Sequence, residues 1–115
     1  MTIRRKRAYE PVGPRDGHRV LVERLWPRGV SREDLALDAW ARRLAPSTAL
    51  RRWFAHDPAR WDEFRRRYRA ELAEHADELA ALRRRARRGR VTLVYGSREE
   101  RYNAAAALQE ILEEV

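Results

Sequence analysis

The sequence predicts an α/β fold: a single compact domain with a short, largely parallel β-sheet flanked by helices. Three observations carry that prediction. Val20-Leu21-Val22 and Val91-Thr92-Leu93-Val94-Tyr95 are apolar on both faces, the pattern of central strands covered on two sides. The long stretch between them reads as one helix after another, and a connection of that length favours parallel pairing. Each strand then runs into residues suited to a helix start, Ser31 after the first and Ser97 after the second. In open parallel sheets ligands bind beyond the carboxyl ends of the strands. A site is therefore expected between Arg24–Ser31 and Tyr95–Asn103.

Composition sets the bounds. A chain of 115 residues makes one domain, residues 1–115, large enough to bury roughly two-thirds of its unfolded surface. Apolar content of 43% with four tryptophans argues for a packed core over disorder. No apolar run approaches membrane-spanning length, so no membrane partner is expected. Met1–Arg7 is basic, but no hydrophobic segment follows it, so a secretory signal is not read there and a cytoplasmic location is expected. The absence of cysteine excludes disulfides, cysteine-ligated zinc and thiol catalysis. The net charge of +8 is uneven: residues 1–90 hold 24 basic and 13 acidic side chains, residues 91–115 hold 2 and 5.

Taken in order, Thr2–Tyr9 suits an edge strand, because Arg4, Arg5, Lys6 and Arg7 put charge on both faces. Pro11, Gly13, Pro14 and Gly17 mark a loop, and Arg19–Leu25 is the next strand. Ser31 caps a helix whose first turn carries Glu33 and Asp34, matching the dipole. Trp40 and Leu44, four apart, predict a short helix ending near Pro46. Ser47 caps a turn or two holding Leu50, Trp53 and Phe54. Asp57 then caps a helix with Pro58 at its first position, where a missing N–H costs nothing. The stripe Trp61, Phe64, Tyr68, Leu72, Leu79 and Leu82 follows. Unbroken to Arg88, that helix would be about 45 Å long, too long for the domain, so a break is expected near His75-Ala76. After Val91–Tyr95, Ser97 and Glu100 form a capping box for a last helix. Its core face is Ala104, Leu108, Ile111, Leu112 and Val115.

The Arg19–Ser31 stretch is where local rules fail: Glu23 and Arg24 sit where a central strand should still be packed. Charges there cost free energy unless partnered, and such conflicts mark functional sites. Arg24 and Arg28 flank a rigid Trp26-Pro27 turn beside the Ser31 helix start. Guanidinium forks plus a helix N-terminus suit a phosphate or carboxylate. Arg98 and the N–H groups after Ser97 are expected to reach the same place. His56 with Asp57 has the chemistry of a base and its orienting acid. Competing with this, Asp57 reads as a cap and Arg24 as the ion-pair partner of Glu23, Glu99 or Asp57. His18, His56 and His75 have no metal-ligand spacing, and no metal or cofactor is expected.

The sequence resembles the YeaO-like proteins within the domain of unknown function 488 group. The resemblance rests on Arg24-Leu25-Trp26-Pro27-Arg28-Gly29, Leu44-Ala45-Pro46-Ser47 and Leu50-Arg51-Arg52-Trp53-Phe54. It continues through His56-Asp57-Pro58 with Trp61 and Phe64, then Leu93-Val94-Tyr95 with Asn103. It covers nearly the whole chain and implies a compact α/β fold, with no reaction attached. Where the family has Asp, this chain has Glu23. Where the family has Lys/Arg-Asp it has Arg98-Glu99, and the family's His-Asn pair stands here as Tyr102-Asn103.

The expected function is binding of a small anionic ligand at the strand ends, with or without acid–base chemistry. Arg24, Trp26, Arg28, Tyr95, Arg98 and Asn103 are the binding residues, and His56, Asp57 and Glu99 the catalytic candidates. The alternative is a nucleic-acid-binding module working through the arginine runs Arg65–Arg69 and Arg83–Arg90.

Overall fold

A computed structural model describes residues 1–114; Val115, assigned above to the core face of the last helix, lies outside the described residues. Four strands form one sheet: β1 (Ile3–Arg7), β2 (His18–Leu21), β3 (Ala39–Trp40) and β4 (Val91–Tyr95). Their order is β1-β4-β2-β3 and every pair is parallel. β4 is central because all five of its residues are buried, so both its edges and both its faces must be covered. Leu93 pairs with Arg5 on one side and Val20 on the other. β1 is an edge strand as its charges predict, and the direction that the sequence left open is parallel.

Side chains alternate across the sheet, and the two faces are covered differently. One face, with Val20, Val22, Val91, Leu93 and Tyr95, packs against the helices α2 (Thr48–Phe54), α3 (Trp61–Ala73), α4 (Ala76–Arg88) and α5 (Ala104–Glu113). Phe54, Phe64, Tyr68, Leu72, Leu82, Leu108 and Leu112 supply most of that core. The opposite face, with Ala8, Leu21 and Val94, is covered by Leu35 of the short helix α1 (Arg32–Leu35) and by Trp26, Val30, Leu37 and Trp40. The long helical stretch breaks between Ala73 and Ala76, which lets α4 fold back beside α3.

A charged cluster fills the amino-terminal half of this second face. Asp16 and Arg19 are each only 3% exposed. The Arg19 guanidinium donates to Asp16 at 2.7 Å and, through Nε and Nη2, to the Leu35 carbonyl at 3.1 and 2.8 Å. Asp16 also accepts from Lys6 Nζ at 3.1 Å and from the Gly13 N–H at 3.0 Å. Thr92 Oγ1 donates to the Asp16 carbonyl. Burial alone would push the Asp16 carboxyl up, but the Gly13 N–H, Lys6 and Arg19 hold it below the usual carboxylate range. Gly17 closes the same loop with φ +65°, where a β-carbon would collide with the Arg90 carbonyl.

Two local expectations are overturned. Trp40 is in β3, not a helix: Val20 and Leu21 pair with Ala39 and Trp40, and a 3-10 turn at Arg42–Leu44 follows. Trp40 packs on the second face while Leu44 packs on the first, so their spacing is not a helical stripe. Ser97 caps nothing, and α5 starts at Ala104. The buried Asn103 caps it, its Oδ1 accepting from the Ala106 N–H at 2.8 Å and its Nδ2 donating to the Glu99 carbonyl at 2.6 Å. Asp57 does cap a start with Pro58 at its first position, and that first turn, Pro58–Arg60, is 3-10 before it leads into α3.

Candidate functional site

At the carboxyl ends of β1, β2 and β4 lies a cavity of about 330 Å³. Glu23, Arg24, Leu25, Trp26, Pro27 and Arg28 line it from the loop after β2, and Gly96 and Ser97 from the loop after β4. Tyr9 comes from beyond β1, Ala45 and Pro46 from the turn before α2, and Arg51, Phe54 and His56 from α2 and its end. Phe64, Asn103 and Ala104 complete the wall.

The charges that interrupt β2 each find a partner. The Val22 N–H still bonds the Val94 carbonyl at 3.1 Å. One residue later Glu23 takes over with its side chain, Oε1 accepting from the Gly96 N–H at 3.0 Å, so a carboxylate ties together the two diverging strand ends. The Glu23 carbonyl accepts from Trp40 Nε1 at 2.7 Å. Arg24 donates through Nε to the Pro46 carbonyl at 2.8 Å and through Nη2 to the Ala45 carbonyl at 3.2 Å. Those carbonyls belong to a turn held from its other side. Ser47 donates its N–H and hydroxyl to Glu71 at 2.7 and 2.6 Å, and buried Tyr68 donates to the Leu44 carbonyl. Burial pushes the Tyr68 phenol far up, so it stays a donor. The ion pair of Arg24 with Glu23, Asp57 or Glu99 does not form among the described residues.

Trp26 fixes the turn that follows: its Nε1 donates to the Val30 carbonyl at 2.6 Å and its ring meets Trp40 edge-on at 5.4 Å. The Arg28 carbonyl accepts from Tyr9 Oη at 2.9 Å. Arg28 and Arg51 have no carboxylate within ion-pair distance among the described residues. The end of α2 is strained, since Ala55 and His56 both take left-handed φ, +48° and +54°. Such strain persists only where surroundings over-determine it. Here the His56 ring meets Phe54 edge-on at 5.7 Å, and its Nδ1 lies 2.8 Å from the Tyr102 carbonyl. A carbonyl can only accept, so Nδ1 is the donor in this bond.

Of the residues expected at the site, Arg24, Trp26, Arg28, His56 and Asn103 meet at this cavity. Tyr95, Arg98, Asp57 and Glu99 do not line it. Tyr95 faces the core, and burial pushes its phenol up. Asp57 caps the Pro58 turn through the Ala59 N–H and pairs with Arg60 at 3.7 Å. Glu99 accepts from the N–H groups of Arg101 and Tyr102, which hold its carboxyl below the usual range. Arg98 is exposed. The Ser31 helix is also elsewhere: α1 is four residues long and packs on the opposite face, so the helix amino end at the cavity is that of α5. Tyr102 packs its ring edge-on against Trp61 at 5.5 Å and does not line the cavity.

Sequence reasoning missed Arg51, Tyr9 and Ser97 as site residues. Arg51 sits in the Leu50–Phe54 run quoted for the resemblance, and an unbalanced arginine on a short helix is a signal only once the sheet order is known. The arginine run on α3 is already partnered: Arg65 with Asp62 and Glu110, Arg66 and Arg67 with Glu63, Arg69 with Glu114. Arg83 donates to the carbonyls of Ile111 and Leu112. No three His, Asp or Glu among the described residues are grouped to hold a metal ion, and no helix there is long and apolar enough to cross a membrane.

Comparison with known proteins places these features in a family context. Residues 2–115 match the family described as DUF488-N3i, "Inactive DUF488-N3 subclade". The chain is 42% identical over 112 residues to "Uncharacterized protein YeaO" of Escherichia coli (strain K12), covering 97% of each chain. It is 43% identical over 110 residues to "Uncharacterized protein Rv3073c" of Mycobacterium tuberculosis, covering 96% of this chain and 92% of that protein. "Uncharacterized protein Mb3100c" of Mycobacterium bovis matches with the same identity and coverage. No solved structure matches the chain.

Proposed function

The chain belongs to the DUF488 family, in the subclade described as inactive, and from that premise we propose that its strand-end cavity binds a small anion without turning it over. The observation that carries this reading is the meeting of Arg24, Arg28 and Arg51 on one cavity whose single carboxylate, Glu23, is already bonded to the Gly96 N–H. Guanidinium groups recognise phosphate and carboxylate through paired, charge-assisted N–H bonds. The amino end of α5 adds a favourable field from Ala104, with Asn103 occupying only the Ala106 N–H. Binding without turnover fits the side chains that are missing. Asp57 and Glu99 are engaged in backbone caps, the His56 Nδ1 is held by the Tyr102 carbonyl and not by a carboxylate, and Tyr102 packs its ring on Trp61.

Titration of the ¹⁵N-labelled protein with inorganic phosphate at low salt tests this. The amide signals of Gly96, Ser97 and Ala104 and the indole N–H of Trp26 are expected to shift together. Replacing Arg28 and Arg51 by alanine should weaken binding by about tenfold or more for each lost charge-assisted contact. Shifts confined to Arg83–Arg90, or unchanged binding in the double variant, would refute the reading. The nucleic-acid alternative has less support, because the Arg65–Arg69 guanidiniums already have carboxylate partners.

A further inference from the structure

We infer that the anion this cavity takes is carried on a flat apolar group, as in aryl phosphates and aryl carboxylates. This rests on the anion-binding reading and adds the other half of the ligand. Along the loop after β2 the cations Arg24 and Arg28 bracket Leu25, Trp26 and Pro27, and all five line the cavity. Leu25 is 66% exposed and Tyr9 is 49% exposed. They are two of only four large hydrophobic residues exposed among the described residues, and both line this cavity. Apolar groups clustered at the rim of a cationic cavity indicate a partner that covers them. The floor is apolar as well, formed by the stacked rings of Phe54 and Phe64, 4.1 Å apart.

Size and charge narrow the ligand further. The cavity of about 330 Å³ is at the lower end of pockets that hold small organic molecules, roughly 300–1,000 Å³. It is some tenfold the roughly 30 Å³ that one water occupies, so a bare oxyanion leaves much of it unfilled. Glu23, the one carboxylate lining the cavity, disfavours further negative charge there. The fit is one oxyanion on the arginines and one ring between Leu25, Tyr9 and the turn at Trp26-Pro27.

Isothermal titration of the full chain with inorganic phosphate, phenyl phosphate, acetate and benzoate tests this. A ring covering on the order of 80 Å² of apolar surface should tighten binding about 30-fold, phenyl phosphate over phosphate and benzoate over acetate. The tighter of the two aryl probes identifies the preferred oxyanion. Leu25→Ser, at an exposed position that folding does not depend on, should lower the aryl-to-bare ratio about fivefold. Equal affinities for phosphate and phenyl phosphate would overturn the inference and leave the anion site standing. Failure of all four probes to bind would overturn both.

Discussion

Replacing Asp16 by alanine should destabilise this protein more than any surface change. Arg19 donates to the Asp16 carboxylate and to a single carbonyl, Leu35, and is 3% exposed. Without the carboxylate its charge stays buried with one neutral acceptor, Lys6 loses its partner and the Gly13 N–H loses its acceptor. Removing one member of a buried ion pair costs about 3–5 kcal/mol, a large share of the roughly 5–15 kcal/mol that holds a domain folded. Urea unfolding read by far-UV circular dichroism should show a lower midpoint at unchanged slope. The companion Arg19→Met removes the stranded charge. Adding it to Asp16→Ala should therefore be nearly neutral, whereas the two single losses would sum to far more if the residues acted independently. The pH dependence has a definite sign. Because the Asp16 carboxyl is held below its ordinary value, its contribution is complete above the unfolded-state pKa of about 3.9 and is lost as pH falls through the lower folded value. Asp16→Asn should lack that acid limb. A loss under about 1 kcal/mol for Asp16→Ala, or full additivity with Arg19→Met, would refute the reasoning.

Two further substitutions test segments that border the cavity. Ala55→Gly should stabilise by about 1 kcal/mol in thermal unfolding, against the usual helix penalty, because Ala55 sits at φ +48° where a β-carbon is strained. Asn103→Ala should destabilise by about 1–2 kcal/mol in urea, since it removes the α5 cap and strands the Glu99 carbonyl.

The parallel sheet, its two central strands and the helix break at 74–75 were legible because each follows from a local pattern of apolar residues or from length. β3 was not. A two-residue strand has too few residues to show alternation, and Trp40 is placed by partners remote in sequence, Leu21 in the ladder and Glu23 at its indole. The α5 start was misread because Ser97 and Glu100 satisfy the local capping rule. Nothing local shows that Asn103 is buried and able to cap while holding the Glu99 carbonyl. At the strand ends, the conflict at Glu23-Arg24 falls on residues that line the cavity. It could not separate residues that face the cavity, such as Arg28 and His56, from residues that cap backbone nearby, such as Asp57 and Glu99. That distinction depends on chain direction at each turn, which the sheet order sets.

The sheet order also constrains how the chain reaches its fold. β1 and β2 are neighbours in sequence but not in space; β4 lies between them and is the sole strand partner of β1. Until residues 91–95 arrive, β1 has no ladder to join and β2 has only the two-residue pairing with β3. Ile3 meets Val91 across 88 of the 115 residues (91 minus 3), and contacts that far apart are reached only after a large loop-closure entropy has been met. Folding should therefore be slow for a domain of this size and cooperative around the insertion of β4. The strand-end cavity, which needs both the β2 and β4 loops, should form only in that same late step.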